Sequence, residues 1–369
     1  MINKIIYILL IATNLFAQIQ KGGLPKFYNN NMDELEFIAI DSNREINREF
    51  DPRVFQFGYE YEFNLDILTE SLVIENNGES SFIIGVESRG AYGIGLNFGE
   101  FYLTENSKLF LYDEDRTFKL GALDSDNNKP FNSLTTSIIK GDRIIIELTV
   151  PNDELNLINL KLSSIIHDYT DIMNYYNTLE SNREDCNINV SCPEGDDWED
   201  QINGVVRVTM GGGLCSGSIL NNTSNDRTPY ILFADHCVSG SASSYVFHFN
   251  YQSSSCSGTN GSLNQSISGS ALLASNSGPD FALLEIVSNS PSFIIPDSYN
   301  PFYVGWSKSS SSPQEAIGIH HPGAGIKKIS FTTDNVSSNG NYWEFQYEDG
   351  RVIPGSSGSP FFNQNKRQV

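Results

Sequence analysis

The chain has 369 residues, of which 39% are hydrophobic and 12% aromatic, so it is long enough for about two domains and apolar enough to bury a core in each. It carries 45 acidic residues against 23 basic ones, and most of this excess lies in the first half. Because nucleic-acid binding needs basic patches that face the phosphates, this balance argues against a nucleic-acid partner.

The N-terminal segment predicts export. Lys4 precedes an apolar run from Ile5 to Phe16, and the small residue Ala17 follows this run. The pattern is typical of a secretory signal peptide, and the run is too short to span a bilayer comfortably. We predict that residues 1–17 are a signal peptide, that the protein is secreted, and that no membrane segment remains after the signal is removed.

Residues 18–185 predict a β-rich domain. Aromatic residues alternate with polar or small ones over residues 55–63, which predicts one strand with five aromatic side chains on a single face. Further strands are predicted at Ser81–Val86, Gly99–Leu103, Lys108–Tyr112 and Arg143–Val150. A β-sandwich is the natural packing for such strands. Towards the end, apolar residues at helical spacing predict a short linker helix near residues 163–177.

Residues 186–369 predict a second all-β unit. Short candidate strands alternate with Ser- and Gly-rich loops, which favours a pair of β-barrels. These strands are predicted at Gly204–Met210, Cys215–Leu220, Tyr230–Phe233, Ser244–Tyr251, Ser270–Ala274 and Phe281–Val287. All five cysteines of the chain fall at or after position 186, so an exported chain is expected to form disulfides here, with one cysteine left over.

Three motifs in this second half carry the residue types of serine hydrolase chemistry. His236 precedes Cys237, Asp280 precedes an apolar run, and Ser357 lies within Gly355–Pro360. A serine hydroxyl is a poor nucleophile unless a base takes its proton and an acid orients that base, and a histidine with a carboxylate behind it can supply both functions. In α/β-hydrolases the order along the chain is Ser, acid, His, whereas here it is His, Asp, Ser, as in the chymotrypsin-like double barrel.

From about residue 186 to its end, the chain resembles the bacterial chymotrypsin-like serine endopeptidases, and among them lysyl endopeptidase. The motifs that carry this resemblance are Cys186–Gly195, Leu214–Ser218, Asp235–Cys237, Asp280–Glu285, Ile319–Pro322 and Gly355–Pro360. The resemblance implies a double β-barrel that hydrolyses protein or peptide substrates through an acyl-enzyme and needs no cofactor.

The resemblance also implies roles for individual residues. His236 would be the general base, Asp280 the acid that orients it, and Ser357 the nucleophile. The backbone N–H groups of Gly355 and Ser357 would form the oxyanion hole.

By the same resemblance, Cys215 pairs with Cys237 and Cys192 with Cys256. Cys186 would pair in the family with a cysteine beyond the nucleophile, and this chain has none there. We therefore expect Cys186 to be unpaired and the second barrel to be incomplete, as in a C-terminally truncated enzyme.

In the resembling proteases, the segment between signal and catalytic domain is a pro-region that assists folding in cis and is then removed. Residues 18–185 are accordingly predicted to be a pro-region of a zymogen, with cleavage near Arg183, and residues 186–369 to be the protease domain.

Two alternatives stay open at this stage. One is a secreted protein that keeps the protease scaffold for binding, or an inactive truncated product, without catalysis. The other concerns specificity: lysyl endopeptidases take their specificity acid from the segment after the nucleophile, whereas Arg351, six residues before Ser357, would suit an acidic substrate side chain.

No metal site is predicted. His320 and His321 are adjacent and would point to opposite faces of a strand, so structural roles are expected for them. The acidic residues between Glu194 and Asp200 are interpreted as a solvated face, with calcium binding as the alternative.

Overall fold

The computed structural model describes residues 20–30, 35–174, 187–333, 336–340 and 342–369. Its described part is mostly β-structure. In the first half the strands are β1 Phe37–Ala39, β2 Glu45–Ile46, β3 Phe55–Gln56, β4 Gly58–Asp66, β5 Leu72–Asn76, β6 Glu79–Glu87, β7 Gly93–Tyr102, β8 Lys108–Asp113, β9 Lys119–Leu123, β10 Leu134–Thr135, β11 Ile139–Lys140, β12 Arg143–Pro151 and β13 Asn159–Asp168. A short helix, α1, spans Ile67–Glu70.

Two sheets of the first half enclose one core. The first has the strand order β1-β6-β12-β8-β9, with β5 added to β6; the second has the order β10-β7-β13-β4-β2, with β11 added to β7. Ile84 and Ile146 from the first sheet and Leu96 and Ile165 from the second belong to the same buried cluster. Because both inner faces are apolar, the sheets bury each other, which confirms the predicted β-sandwich.

Two predictions for this half are wrong in detail. The aromatic run is not one strand: Phe55–Gln56 pairs with the second half of the chain, and the sandwich strand β4 begins only at Gly58. The helix expected near 163–177 is a strand up to Asp168, because β13 pairs with β4 and β7 on its two sides. Three consecutive buried residues, 164–166, interrupt the alternation that would mark it as a strand. Residues 175–177 lie outside the described residues.

The strands of the second half are β14 Ile188–Asn189, β15 Val205–Met210, β16 Gly213–Leu220, β17 Tyr230–Phe233, β18 Val246–Phe249, β19 Ser266–Ser268, β20 Ser270–Asn276, β21 Phe281–Ile286, β22 Ala316–His320, β23 Lys328–Thr332, β24 Ser337–Asn339, β25 Tyr342–Glu344 and β26 Phe361–Phe362. Helix α2 spans Glu199–Asn203. Short 3-10 helices of the described chain include Ser42–Arg44, Ser125–Asn127, Leu155–Leu157, Pro193–Trp198, Asp235–Cys237, Ala242–Ser244, Asp297–Tyr299 and Pro322–Ala324.

Most of these strands form two separate β-units with separate cores, and β24 pairs with β25 in a further two-stranded sheet. The larger sheet has the order β19-β18-β15-β16-β17-β21-β20, and the smaller has the order β14-β23-β22-β26. Val208 and Leu284 lie in the core of the first, and Ile319 and Phe362 in the core of the second. The strands predicted in this half are all present, with ends that differ by a few residues. This confirms the all-β prediction of two adjoining units.

Two disulfides lie in the second half, as the resemblance implied. Cys192 is bonded to Cys256, and Cys215 to Cys237. Cys186 lies outside the described residues, so its state stays a prediction.

The two halves of the chain are joined by strand pairing and by a shared apolar cluster. Strand β3 adds to the end of β16, where β17 does not reach. Phe57 and Ile138 of the first half pack with Leu214 and Ala324 of the second. Lys129 adds a polar contact, because its Nζ donates a hydrogen bond to the carbonyl oxygen of Val287 at 2.9 Å.

Candidate active site

His236 and Asp280 are hydrogen-bonded to each other at the edge of the larger sheet. His236 follows β17 in a 3-10 turn that the Cys215–Cys237 disulfide ties to β16, and Asp280 directly precedes β21. Since β17 and β21 are paired, the ends of both strands meet. Asp280 Oδ2 lies 2.6 Å from His236 Nδ1, and Oδ1 accepts the backbone N–H of His236 at 3.0 Å.

This geometry orients the imidazole. Partial burial alone would raise the pKa of Asp280, but the hydrogen bonds from His236 and the nearby charges of His236 and Arg53 outweigh it and hold the pKa below 3.8. The carboxylate therefore stays ionised at neutral pH and favours the tautomer with a proton on Nδ1. That leaves Nε2 as the nitrogen that can accept a proton, and Nε2 has no hydrogen-bond partner among the described residues.

Ser357 lies in a loop whose glycines have positive φ angles and close backbone neighbours. Gly355 has a φ of 100° and Gly358 a φ of 80°. A Cβ atom at Gly358 would lie 2.4 Å from Ser216 O and 2.9 Å from Ala234 N. Only glycine fits there, and the contact places the serine loop directly against the segment that leads into His236.

Ser216 of β16 holds the same loop through hydrogen bonds. Its N–H donates to Ser357 O at 2.8 Å, and its hydroxyl donates to Gly355 O at 2.9 Å while accepting the N–H of His321 at 3.0 Å. With both of these carbonyls engaged, the peptide units of the loop are held in one orientation. In the described part of the chain, the N–H groups of Gly355 and Ser357 make no backbone hydrogen bond.

His320 supports the loop through a neighbouring serine, which the sequence did not reveal. Ser356 Oγ lies 2.7 Å from His320 Nδ1, and Ser330 Oγ lies 2.9 Å from His320 Nε2. All three residues are at most 2% exposed. The ring thus bridges the serine loop to β23, and His321 turns away to hydrogen-bond Gly325 O through Nδ1. The sequence placed the two histidines on opposite faces but carried no signal of their partners.

Arg53, a residue of the first half, also reaches this site. The hydroxyl of Ser357 donates to the carbonyl oxygen of Arg53 at 3.2 Å, and no hydrogen bond joins Ser357 to His236 among the described residues. Arg53 Nη1 donates to Asp280 Oδ2 at 3.1 Å. Nothing in the motif pattern of the sequence pointed to Arg53.

Other residues singled out in the sequence lie outside this cluster. Arg351 donates its N–H to Asn187 Oδ1 at 3.0 Å, and its Nε is buried without a partner in the described chain. The acidic residues from Glu194 to Asp200 are exposed, consistent with a solvated face. No group of three or more His, Cys, Asp or Glu side chains within the described residues could hold a metal ion.

Two β-units with a partly buried Asp–His pair and a serine loop between two glycines at one edge define a chymotrypsin-like serine endopeptidase fold. The match to known families is more specific. A model of the lysyl endopeptidase C-terminal domain matches residues 181–369, just over half of the chain. The chain belongs to this family.

A curated relative is the lysyl endopeptidase of Pseudomonas aeruginosa, which is 25% identical over 270 residues. The alignment covers 66% of this chain and 55% of the relative, so the chain spans about half the length of the curated relative it matches.

Solved structures with weaker likeness include a thermostable serine protease from an extremophilic microorganism, with a TM-score of 0.34, 14% identity and coverage of 46% of this chain and 83% of that one. A Glu endopeptidase has a TM-score of 0.30 and 16% identity, with 46% of this chain and 77% of the other covered. At these scores the structural likeness adds nothing to the family match. In the part of the chain that the structure describes, no helix is long and apolar enough to cross a membrane.

Proposed function

We propose that this chain is the precursor of a secreted serine endopeptidase that hydrolyses peptide bonds through His236, Asp280 and Ser357. The observation that carries the proposal is the pair of hydrogen bonds from His236 to Asp280, at 2.6 and 3.0 Å, beside a serine held between two glycines of positive φ. Residues 1–17 would direct export, and residues 18–185 would form a pro-region that is removed.

In the proposed reaction Ser357 Oγ attacks the carbonyl carbon of the scissile peptide while its proton passes to His236 Nε2. The C–N bond then breaks, His236 returns the proton to the leaving amine, and an acyl-enzyme remains on Ser357. Water repeats the sequence and releases the carboxylate product. Asp280 stabilises the imidazolium that forms in each half of the reaction.

Two backbone N–H groups would stabilise the oxyanion. Gly355 and Ser357 carry these groups on the loop that Ser216 holds through their carbonyl oxygens. Preorganised donors of this kind are effective because they need no rearrangement during the reaction, and loss of one costs about 10²- to 10³-fold in kcat in other serine proteases.

For the substrate, we propose cleavage after lysine, in line with the name of the curated relative, lysyl endopeptidase. Digestion of a peptide library by the processed protein tests this: fragments that end in lysine are expected. Fragments that end in Glu or Asp would instead support a specificity site built on Arg351.

Labelling of Ser357 by a fluorophosphonate probe tests the catalytic assignment. We expect the folded chain to be labelled, Ser357→Ala to be unlabelled, and Asp280→Asn to be labelled far more slowly, because loss of the orienting acid costs about 10⁴-fold in comparable triads. Ser359→Ala, two residues further on, serves as the matched control and should label at the wild-type rate. A folded wild-type protein that never reacts even after residues 18–185 are removed would favour a non-catalytic binding protein.

A further inference from the structure

A segment of the first half, residues 48–58, crosses the candidate active site. Its Arg53 contacts two members of the proposed triad: the carbonyl oxygen accepts the Ser357 hydroxyl at 3.2 Å, and Nη1 donates to Asp280 Oδ2 at 3.1 Å. The proton of Ser357 therefore points away from His236 Nε2. The segment occupies the nucleophile and the orienting acid at the same time.

After a turn at residues 51–54, the segment pairs with the catalytic unit as a short strand. Phe55 is in register with Leu214 and Gln56 with Gly213, in antiparallel pairing with the end of β16. The N–H groups of Phe57 and Gly58 then both donate to Gly212 O, at 2.7 and 3.1 Å. Backbone pairing of this kind lets a sheet edge bind any extended peptide, and side-chain pockets then select among them.

Side chains of the segment anchor it to the catalytic unit. Val54 is 6% exposed and packs in the core cluster of the larger sheet, with Cys215 and Cys237. Phe57 is fully buried in the cluster that contains Leu214. A Cβ atom at Gly213 would lie 2.4 Å from the ring of Phe50, so the ring and the strand are in close contact.

Arg48 and Asp51 hold the segment in position at its start. Arg48 donates to Ser239 O at 3.3 Å, just beyond the His236 turn, and pairs with Glu60. The Asp51 carboxylate accepts hydrogen bonds from the guanidinium of Arg53, from Nε at 2.8 Å and from Nη2 at 2.9 Å. It also accepts a hydrogen bond from the backbone N–H of Arg53 at 2.9 Å. This two-point clamp sets the direction of the guanidinium, so less side-chain freedom is lost when Arg53 reaches Asp280.

We propose that residues 48–58 form an inhibitory segment that binds in the substrate cleft of this same chain. The Arg53 carbonyl binds the hydroxyl of Ser357, Phe55 and Gln56 pair with the edge of β16, and the Arg53 guanidinium binds Asp280. This inference rests on the proposed endopeptidase function. The peptide that occupies the cleft is a basic residue followed by a mostly apolar stretch.

The test measures the rate of fluorophosphonate labelling of the uncleaved full-length chain, followed as the full-length band on a gel. We compare wild type with Arg53→Gln, which removes the contact to Asp280, and with Val54→Asp, which places a charge in an apolar pocket. Arg89→Gln is the matched control, because Arg89 is an exposed arginine that also pairs with an acid two residues before it, Glu87, in the sandwich. Circular dichroism confirms that each variant is folded.

We expect Arg53→Gln to label about two- to fivefold faster than wild type, as fits the loss of a partly exposed ion pair. Val54→Asp should label at least about tenfold faster, because burial of an unpaired carboxylate would detach the segment. Arg89→Gln should match wild type. Equal, measurable labelling of wild type and folded Arg53→Gln and Val54→Asp would overturn the inhibitory segment while leaving the catalytic assignment intact.

Absence of labelling in every folded protein, Val54→Asp included, would overturn the proposed function and the inhibitory segment together. Should Val54→Asp fail to fold, Arg53→Gln decides alone, since Arg53 has an exposed side chain and its replacement leaves the core untouched.

Discussion

At the scale of single residues, the site depends on side chains that are held by two contacts each. Asp280 accepts hydrogen bonds from both the ring and the backbone N–H of His236. Its own backbone is in the left-handed conformation, with a φ of 55°. His320 is bridged between Ser356 and Ser330 in the same way. Each residue thereby loses most of its rotational freedom, which fits side chains that hold a site in one geometry.

His320 predicts how stability depends on pH. Burial, together with the charge of Lys328, lowers the pKa of His320 from 6.5 to about 4. Between these two values the unfolded chain binds a proton at this site and the folded chain does not, so the free energy of unfolding falls as the pH is lowered from 6.5 to 4. The loss from this residue is at most about 3 kcal/mol.

Urea unfolding of wild type and His320→Gln at pH 7 and at pH 4 measures this effect. The variant should be less stable at pH 7, because Ser356 and Ser330 lose their partner, but its stability should fall less on acidification. Equal losses in the two proteins would show that His320 does not titrate in this range.

At the scale of elements, the serine loop and the His236 turn position one another. The larger sheet supplies both Ser216, which holds the loop, and β17, which leads into the turn. Contact between the two elements depends on the absence of a side chain at Gly358, where the approach to Ser216 O is too close for a Cβ atom. Gly358 therefore links the geometry of the sheet to the position of Ser357.

Gly358→Ala is expected to lower activity at least about tenfold and to destabilise the fold, because it adds a clash to the cost of a positive φ. Gly340→Ala is the matched control: Gly340 has a φ of 64°, but a Cβ atom there meets nothing within 4 Å. The control should cost only about 1–2 kcal/mol, with labelling of Ser357 unchanged. Similar labelling rates in the two variants would mean that the approach of Gly358 to Ser216 is unimportant for the site.

At the scale of the whole molecule, the two halves share an apolar cluster in addition to the strand pairing at β16. Phe57, which is fully buried, contributes to this cluster from the first half, and Leu214 from the second. The three tryptophans, Trp198, Trp306 and Trp343, all lie in the second half. Tryptophan fluorescence therefore reports on the second half alone, whichever half is mutated.

Phe57→Ala should destabilise the protein by about 3–5 kcal/mol and lower the midpoint of the tryptophan transition, because the cavity opens between the halves. Phe101→Ala, which removes an equally buried ring from the sandwich core, is the control. In Phe101→Ala, the unfolding transition seen by circular dichroism should begin under milder conditions than the transition seen by tryptophan fluorescence. An unchanged tryptophan transition in Phe57→Ala would show that the halves unfold independently.

Much of the architecture followed from local pattern. The β-sandwich, the strands of the second half and both described disulfides agree with what periodicity and family resemblance predicted. The prediction of individual elements was wrong where the residue pattern fitted more than one structure. The aromatic run at 55–63 alternates across two strands of different sheets, and the alternation of β13 is interrupted by the buried residues 164–166, so neither reveals its true partner locally.

The sequence by itself determined the residue types of the proposed chemistry, His236, Asp280 and Ser357, and their order along the chain, because these motifs are local. Only the tertiary structure decided what surrounds them: that Asp280 meets His236 through paired strands, that His320 carries the serine loop, and that Arg53 from the other half lies over the site. The physical reason is sequence distance. Arg53 and Ser357 are 304 residues apart, and no local preference encodes a contact that depends on how two separate β-units pack.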